Sequence, residues 1–101
     1  MLYRPYMHDD FSMSANYQPT GPVTLTAEQI VDLHQKFRAM RHDVNGRLAN
    51  IVAAAELIRM RPSSLEERMH LLLEQPQKAA ESMAEFAAEL EQRLGLTPDG
   101  K

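Results

Sequence analysis

Apolar residues recur every three or four positions along two stretches of the chain. In the first stretch this spacing runs without interruption from Ile30 to Ile58, which predicts one buried stripe on an amphipathic helix. Thr26 and Gln29 stand in the spacing of a capping box just before it. We therefore expect a first helix from about Ala27 to about Met60, on the order of 50 Å long. Its central stripe comprises Met40, Val44, Leu48, Ile51, Val52, Ala55 and Ile58.

The second periodic stretch follows Pro62, which ends the first helix because proline has no amide hydrogen and its ring clashes with the preceding turn. Ser63 and Ser64 each precede a glutamate by three residues, so we expect the second helix to begin there. Pro76 interrupts the stripe, but the period resumes in phase, which predicts a kink rather than an end. Gly95 is expected to close the helix. The stripe comprises Leu65, Met69, Leu72, Ala79, Met83, Phe86 and Leu90.

Two helices of similar length joined by a short turn predict an all-α fold, an antiparallel two-helix hairpin spanning residues 24–95. One hairpin cannot bury both stripes, and apolar residues such as Val52 and Leu73 are left over. Two hairpins packed as a four-helix bundle would cover them, so we expect a homodimer. Residues 1–23 are expected to form a flexible N-terminal arm, or an arm whose aromatic residues pack on the helices or a partner. Residues 96–101 are expected to form a C-terminal tail.

The composition excludes several classes of protein. The 101 residues make one small domain at most, and their net charge of −3 disfavours nucleic acid as a partner. The absence of cysteine excludes disulfides, thiolate metal sites and cysteine nucleophiles. The longest apolar run is far below the ~20 residues needed to span a bilayer, and the N-terminus lacks the apolar segment of a signal peptide. We expect a cytoplasmic protein with no membrane partner.

A histidine in the middle of the first helix falls on the side opposite the apolar stripe. Helical geometry puts His42 roughly 150° from the centre of the stripe. Asp43 follows it and can accept or orient an imidazole proton. Arg38 and Asn45, four residues back and three residues on, can reach a charged group carried by His42 and donate hydrogen bonds to it. An imidazole near neutral pH is a competent nucleophile towards phosphoryl groups; the alternative is an ordinary surface histidine.

Small side chains share the outward side of the helix with His42. Gly46, Ala49 and Ala53 stand where Lys, Glu or Gln are usual, and a glycine inside a helix costs ~1 kcal/mol relative to alanine. The pattern indicates a docking surface for another protein, to which we also assign Asn50. The alternative, that alanine is simply a good helix former, explains the two alanines but not the glycine.

The segment Arg41-His-Asp-Val-Asn-Gly-Arg-Leu48, followed by Ile51, resembles the H-box of the dimerisation and phosphoacceptor domain of two-component sensor histidine kinases. The resemblance covers roughly residues 26–94. It implies that His42 accepts a phosphoryl group and that Asp43 assists as base. It also implies that a response-regulator receiver domain docks between the histidine and the turn.

Two departures from the family pattern narrow this hypothesis. Gly46 stands four positions after the histidine, where kinases that also act as phosphatases often have Asn or Thr, so the resemblance does not extend to phosphatase activity. No asparagine box and no Asp-x-Gly-x-Gly follows Leu94, so we expect no ATP-binding domain, no cofactor and no autophosphorylation. The resemblance favours a stand-alone histidine phosphotransferase of the dimeric hairpin type. The alternative is a non-catalytic interaction module, a scaffold or inhibitor of a histidine kinase or response regulator.

One further pattern has metal-ligand spacing. Glu66, His70 and Glu74 lie four residues apart on the second helix, so their side chains share one face. No second histidine joins them, and a solvated helix face explains the pattern better. We expect no metal site.

Overall fold

The computed structural model describes residues 17–98. Helix α1 spans Ala27–Met60 and helix α2 spans Leu65–Leu94, with a short 3-10 turn at Pro62–Ser64 between them. The two helices pack against each other as a hairpin, which confirms the predicted all-α fold. Residues 1–16 of the predicted arm and 99–101 of the predicted tail lie outside the described residues.

Helix α1 begins with the predicted capping box. The Thr26 hydroxyl accepts a hydrogen bond from the backbone amide of Gln29 at 3.0 Å, and the Gln29 side-chain oxygen accepts one from the Thr26 amide at 2.8 Å. Two amides that have no partner within the helix are thereby satisfied. The 34 residues of α1 coincide with the predicted span.

The turn between the helices differs in detail from the prediction. The Ser64 hydroxyl donates to the carbonyl oxygen of Arg61 at 2.8 Å, where the sequence predicted that it would cap α2. The 3-10 turn explains the change, because it brings the Ser64 amide and hydroxyl back onto the same carbonyl. Helix α2 then continues through Pro76, as its phase predicts, and ends before Gly95, whose φ of 64° is the left-handed conformation expected after a helix end.

The side of α1 that faces α2 is rotated away from the centre of the predicted stripe. Ala54, which is outside that stripe, is only 4 % exposed, whereas Leu48 and Val52 inside it are 50 % and 60 % exposed. On α2, Ala79 is 5 % exposed. The periodic pattern is therefore wider than one helix–helix contact, and only part of it is buried in the hairpin.

Exposed apolar residues are found on more than one side of the hairpin, with Val31, Leu57 and Met60 away from the predicted stripe of α1. Helical geometry puts the uncovered positions of the two stripes on one common side, because the helices run antiparallel and each stripe is displaced in the same rotational sense from the contact. We call this surface the open apolar face. It comprises Ile30, Leu48, Val52, Leu65, Met69, Leu73 and Met83, all of which are exposed.

The close contact at Ala79 gives the first testable prediction. Ala79→Leu adds three carbon atoms where the side chain is buried against α1, and overpacking of this kind destabilises by about 1–3 kcal/mol. Ala88→Leu is the matched control, because Ala88 is exposed on the same helix. Urea unfolding followed by circular dichroism measures both. Equal stabilities of the two variants would contradict the packing described here.

Two three-residue strands form a short ribbon. Strand β1, Tyr17–Pro19, pairs antiparallel with strand β2, Leu96–Pro98, with Gln18 opposite Thr97. It joins the end of the predicted arm to the beginning of the predicted tail. The sequence analysis does not predict it, because three-residue segments are too short to show strand periodicity.

Within residues 17–98, neither helix is long and apolar enough to cross a membrane.

Candidate functional site

His42 lies near the middle of α1 with its side chain exposed. Within the described part of the chain, no hydrogen bond holds its imidazole ring. Arg38 and Asn45 are exposed as well, and helical geometry puts them on the same side of α1 as His42. The imidazole is thus accessible to a partner molecule, with a guanidinium and an amide within reach along the helix.

The small side chains predicted to flank the histidine are also exposed. Gly46, Ala49 and Ala53 form what we call the small-residue surface. A Cβ atom built on Gly46 meets nothing within 4 Å apart from the helix itself, so no packing contact inside the hairpin requires glycine here. Glycine leaves the helix backbone open at this point, which allows close approach by another molecule.

The Asp43 carboxylate takes part in hydrogen bonds that tie it to α2. Its Oδ2 atom accepts a hydrogen bond from Arg47 Nε at 3.0 Å and another from the Ser82 hydroxyl on α2. The carboxylate is therefore turned towards α2. It makes no hydrogen bond to His42, because consecutive residues on a helix point about 100° apart.

Two further hydrogen bonds cross between the helices beside this carboxylate. The side-chain oxygen of Gln75 accepts from Asn50 Nδ2 at 3.2 Å and from Arg47 Nη1 at 3.5 Å. Gln75 is only 8 % exposed, so these bonds satisfy a group that would be costly to bury alone. We call the five residues Asp43, Arg47, Asn50, Gln75 and Ser82 the interhelical polar network. Asn50, predicted to bind a partner, thus also has a structural contact.

The network holds Asp43 in its ionised form. The hydrogen bond from the Ser82 hydroxyl lowers the pKa of Asp43 below its usual range, followed by the hydrogen bond from Arg47 and the charges of Arg47 and His42. A carboxyl group whose pKa is lowered on folding stabilises the fold above its unfolded pKa, and that contribution is lost as the pH falls through the folded value. Near neutral pH, Asp43 is therefore a fixed negative charge and a weaker base than a free aspartate.

A shallow groove lies between the helices over Asp43. Its volume is about 300 Å³, and it is lined on α1 by Lys36, Met40 and Asp43 and on α2 by Ser82, Glu85 and Phe86. Helical geometry puts the groove on the side of the hairpin opposite the open apolar face.

No family model, curated protein or solved structure matches this chain. The resemblance to a phosphoacceptor domain therefore stays a prediction from the sequence.

Residues 66–74 of α2 show no arrangement typical of a metal site. His70 Nε2 lies 3.9 Å from Glu74 Oε1, a long contact between exposed groups that is an ion pair only when the imidazole is protonated. Among residues 17–98, no cluster of three or more histidine, cysteine or acidic side chains is arranged to hold a metal ion.

Sequence reasoning missed the interhelical polar network, although part of its signal is visible. Asp43 and Arg47 have the i, i+4 spacing of a helical ion pair. Gln75 and Ser82 are polar residues one turn before and one turn after the buried Ala79, on the side of α2 that faces α1. The partner of each across the hairpin depends on the relative shift of the two helices, which periodicity does not give.

Proposed function

We propose that this chain is a histidine phosphotransferase-like signalling protein in which His42 exchanges a phosphoryl group with a response-regulator receiver domain. The observation that carries the proposal is the exposed imidazole in the middle of a long helix, beside the small-residue surface. A phosphoryl acceptor that serves another protein must be reachable by that protein, and flanking side chains must not hold the two backbones apart.

The chemistry requires little from this chain beyond an accessible nucleophile. An unprotonated imidazole nitrogen of His42 attacks the phosphorus atom of the receiver's acyl phosphate. The N–P bond forms, the O–P bond to the receiver carboxylate breaks, and the carboxylate leaves with its electron pair. Arg38 and Asn45 are placed to donate hydrogen bonds to the phosphoryl oxygens, and the nearby negative charge of Asp43 favours the cationic imidazole formed on attack.

The open apolar face supports a homodimer as part of this proposal. Val52 and Leu73 on that face are 60 % and 61 % exposed, and a contiguous apolar surface of this kind is typical of a protein–protein interface. A second copy of the hairpin carries the same surface and would complete a four-helix bundle. The proposal includes the cytoplasmic location that the sequence predicts.

Incubation with a phosphorylated receiver domain tests the proposal. Receiver domains carrying radiolabelled phosphate are mixed with the purified protein without ATP. We expect label to move to this chain in a form that is stable to alkali and labile to acid, which is the behaviour of phosphohistidine. Label that stays on every receiver, or that is acid-stable on this chain, would contradict it.

Docking on the small-residue surface gives a separate prediction. Gly46→Gln and Ala53→Glu place long side chains on that surface and are expected to raise the Kd for the receiver domain at least about tenfold, by steric obstruction and unpaired charge. Both variants leave His42 in place. Ala88→Glu on α2 is the control, because it adds the same charge as Ala53→Glu away from that surface. Calorimetric titration that finds the same Kd for all three variants would exclude this surface as the docking site.

One observation favours the second candidate, a non-catalytic interaction module. Asp43, the expected base, is held by Ser82 and Arg47 rather than by His42. A scaffold or inhibitor needs only the small-residue surface. It would bind a receiver domain or a kinase equally well after His42→Gln, and no label would reach the chain.

A further inference from the structure

Asp43, the residue after His42, is hydrogen-bonded to α2 through the hydroxyl of Ser82. The hydroxyl donates to Asp43 Oδ2, and Arg47 donates to the same oxygen from one turn along α1. The side chain of Asp43 is 40 % exposed and that of Arg47 is 28 % exposed, so water can compete with both bonds. The carboxylate is therefore held by two specific donors and not by burial.

We infer that Ser82 is a positioning residue for phosphoryl transfer, which acts by fixing the negative charge of the Asp43 carboxylate between the helices, one residue along α1 from His42. This inference rests on the function proposed above and adds a residue of α2 to it. Without the hydroxyl, one rotation about the Asp43 Cα–Cβ bond takes the carboxylate out to solvent, where its charge is screened and its distance from the imidazole is no longer fixed.

The surroundings of Asp43 make Ser82 difficult to replace by another donor. The groove over the carboxylate is bordered on α2 by Glu85 and Glu89, whose ionised side chains accept hydrogen bonds and donate none, and on α1 by Lys36. Arg47 is shared with Gln75. Loss of the Ser82 hydroxyl therefore removes the largest cause of the lowered Asp43 pKa and leaves Arg47 as the donor to the carboxylate, so the carboxyl pKa should rise towards its usual range.

The test compares Ser82→Ala, which removes the hydroxyl, with Ser82→Thr, which keeps it. We expect Ser82→Ala to slow phosphoryl transfer from a labelled receiver domain about tenfold, as for the loss of a hydrogen bond to a charged group. The Asp43 carboxyl pKa, followed by NMR titration of the carboxyl carbon, should rise in the same variant. Ser82→Thr should restore both values.

Ile58→Ala is the control for a purely structural effect. Ile58 is half-buried near the turn, fifteen residues from Asp43, and its truncation loosens the hairpin without touching the network. We expect it to leave the Asp43 pKa and the transfer rate unchanged below its unfolding temperature. A similar slowing in Ile58→Ala and Ser82→Ala would overturn the positioning role.

The remaining outcomes separate this inference from the proposed function. In the first outcome, the wild type accepts label, but Ser82→Ala either accepts it at the same rate or shows an unchanged Asp43 pKa. The inference about Ser82 is then wrong and the proposed function stands. If the wild type never accepts label, the proposed function is wrong and the positioning role is wrong with it.

Discussion

Replacement of His42 by glutamine is expected to abolish phosphoryl transfer to this chain while leaving the fold intact. Glutamine has no basic nitrogen, so no phosphoramidate bond can form. The free energy of unfolding should change by less than about 0.5 kcal/mol, because the side chain is exposed and makes no hydrogen bond within the described residues. Transfer of label from a phosphorylated receiver domain and thermal unfolding are measured on the same preparation.

His34→Gln is the matched control for this substitution. His34 is also an exposed histidine of α1, two turns before His42, and its replacement should leave transfer at the wild-type rate. Transfer lost in both variants would indicate a general effect on α1. Transfer kept by His42→Gln would mean that another residue accepts the phosphoryl group.

The second large effect concerns the open apolar face. Val52→Glu together with Leu73→Glu should convert the proposed dimer to monomers and raise its Kd at least about 100-fold, because a bundle would bury four unpaired carboxylates. In the single hairpin both positions are largely exposed, at 60 % and 61 %, so the hairpin contact itself is not disturbed. Light scattering across a range of concentrations measures the mass. Ala88→Glu, which adds charge at an exposed site on the same helix, should remain dimeric.

Substitutions at the contact between the two helices should unfold the hairpin rather than only separate two copies of it. The ring of Phe86 lies 5.6 Å from that of Phe37 across the two helices, so Phe86→Glu removes a contact within one hairpin and should unfold it. Leu72→Glu should do the same, because Leu72 is half-buried. A wild-type protein that scatters as a monomer with full helicity would contradict the homodimer whatever the variants do.

The sequence predicts the helices well because their signals are local. The capping box at Thr26 and the proline at position 62 fix the bounds of α1 to the residue, and Gly95 marks the end of α2. The sequence also predicts that α2 continues through Pro76, because the apolar period after the proline is in phase with the period before it. Each of these features depends on residues within one or two turns of one another.

The contact between the helices is predicted less well, because it depends on how each helix is rotated. Apolar periodicity puts Leu48 in the buried stripe, yet the hairpin buries Ala54 and leaves Leu48 50 % exposed. A small residue allows the close approach that a leucine would prevent. The sequence therefore gives the total apolar width of α1 but not which half of it faces α2.

The candidate site is likewise predicted only in part from the sequence. The exposure of His42, Gly46 and Ala53 follows from their helical phase and is visible in the sequence. The position of Asp43 is not, because it depends on Ser82, thirty-nine residues away in the chain. Contacts of that kind are fixed by the relative shift of the two helices, which the tertiary packing determines.

Localisation of the phosphoryl group tests the central claim most directly. The protein is incubated with a phosphorylated receiver domain, digested at alkaline pH, and its peptides are analysed by mass spectrometry under conditions that preserve phosphohistidine. The account predicts a single phosphorylated histidine at position 42, absent from His42→Gln. Phosphate found on another residue of this chain would contradict the account. So would the absence of phosphate from every peptide, with the phosphoryl group still on the receiver domain.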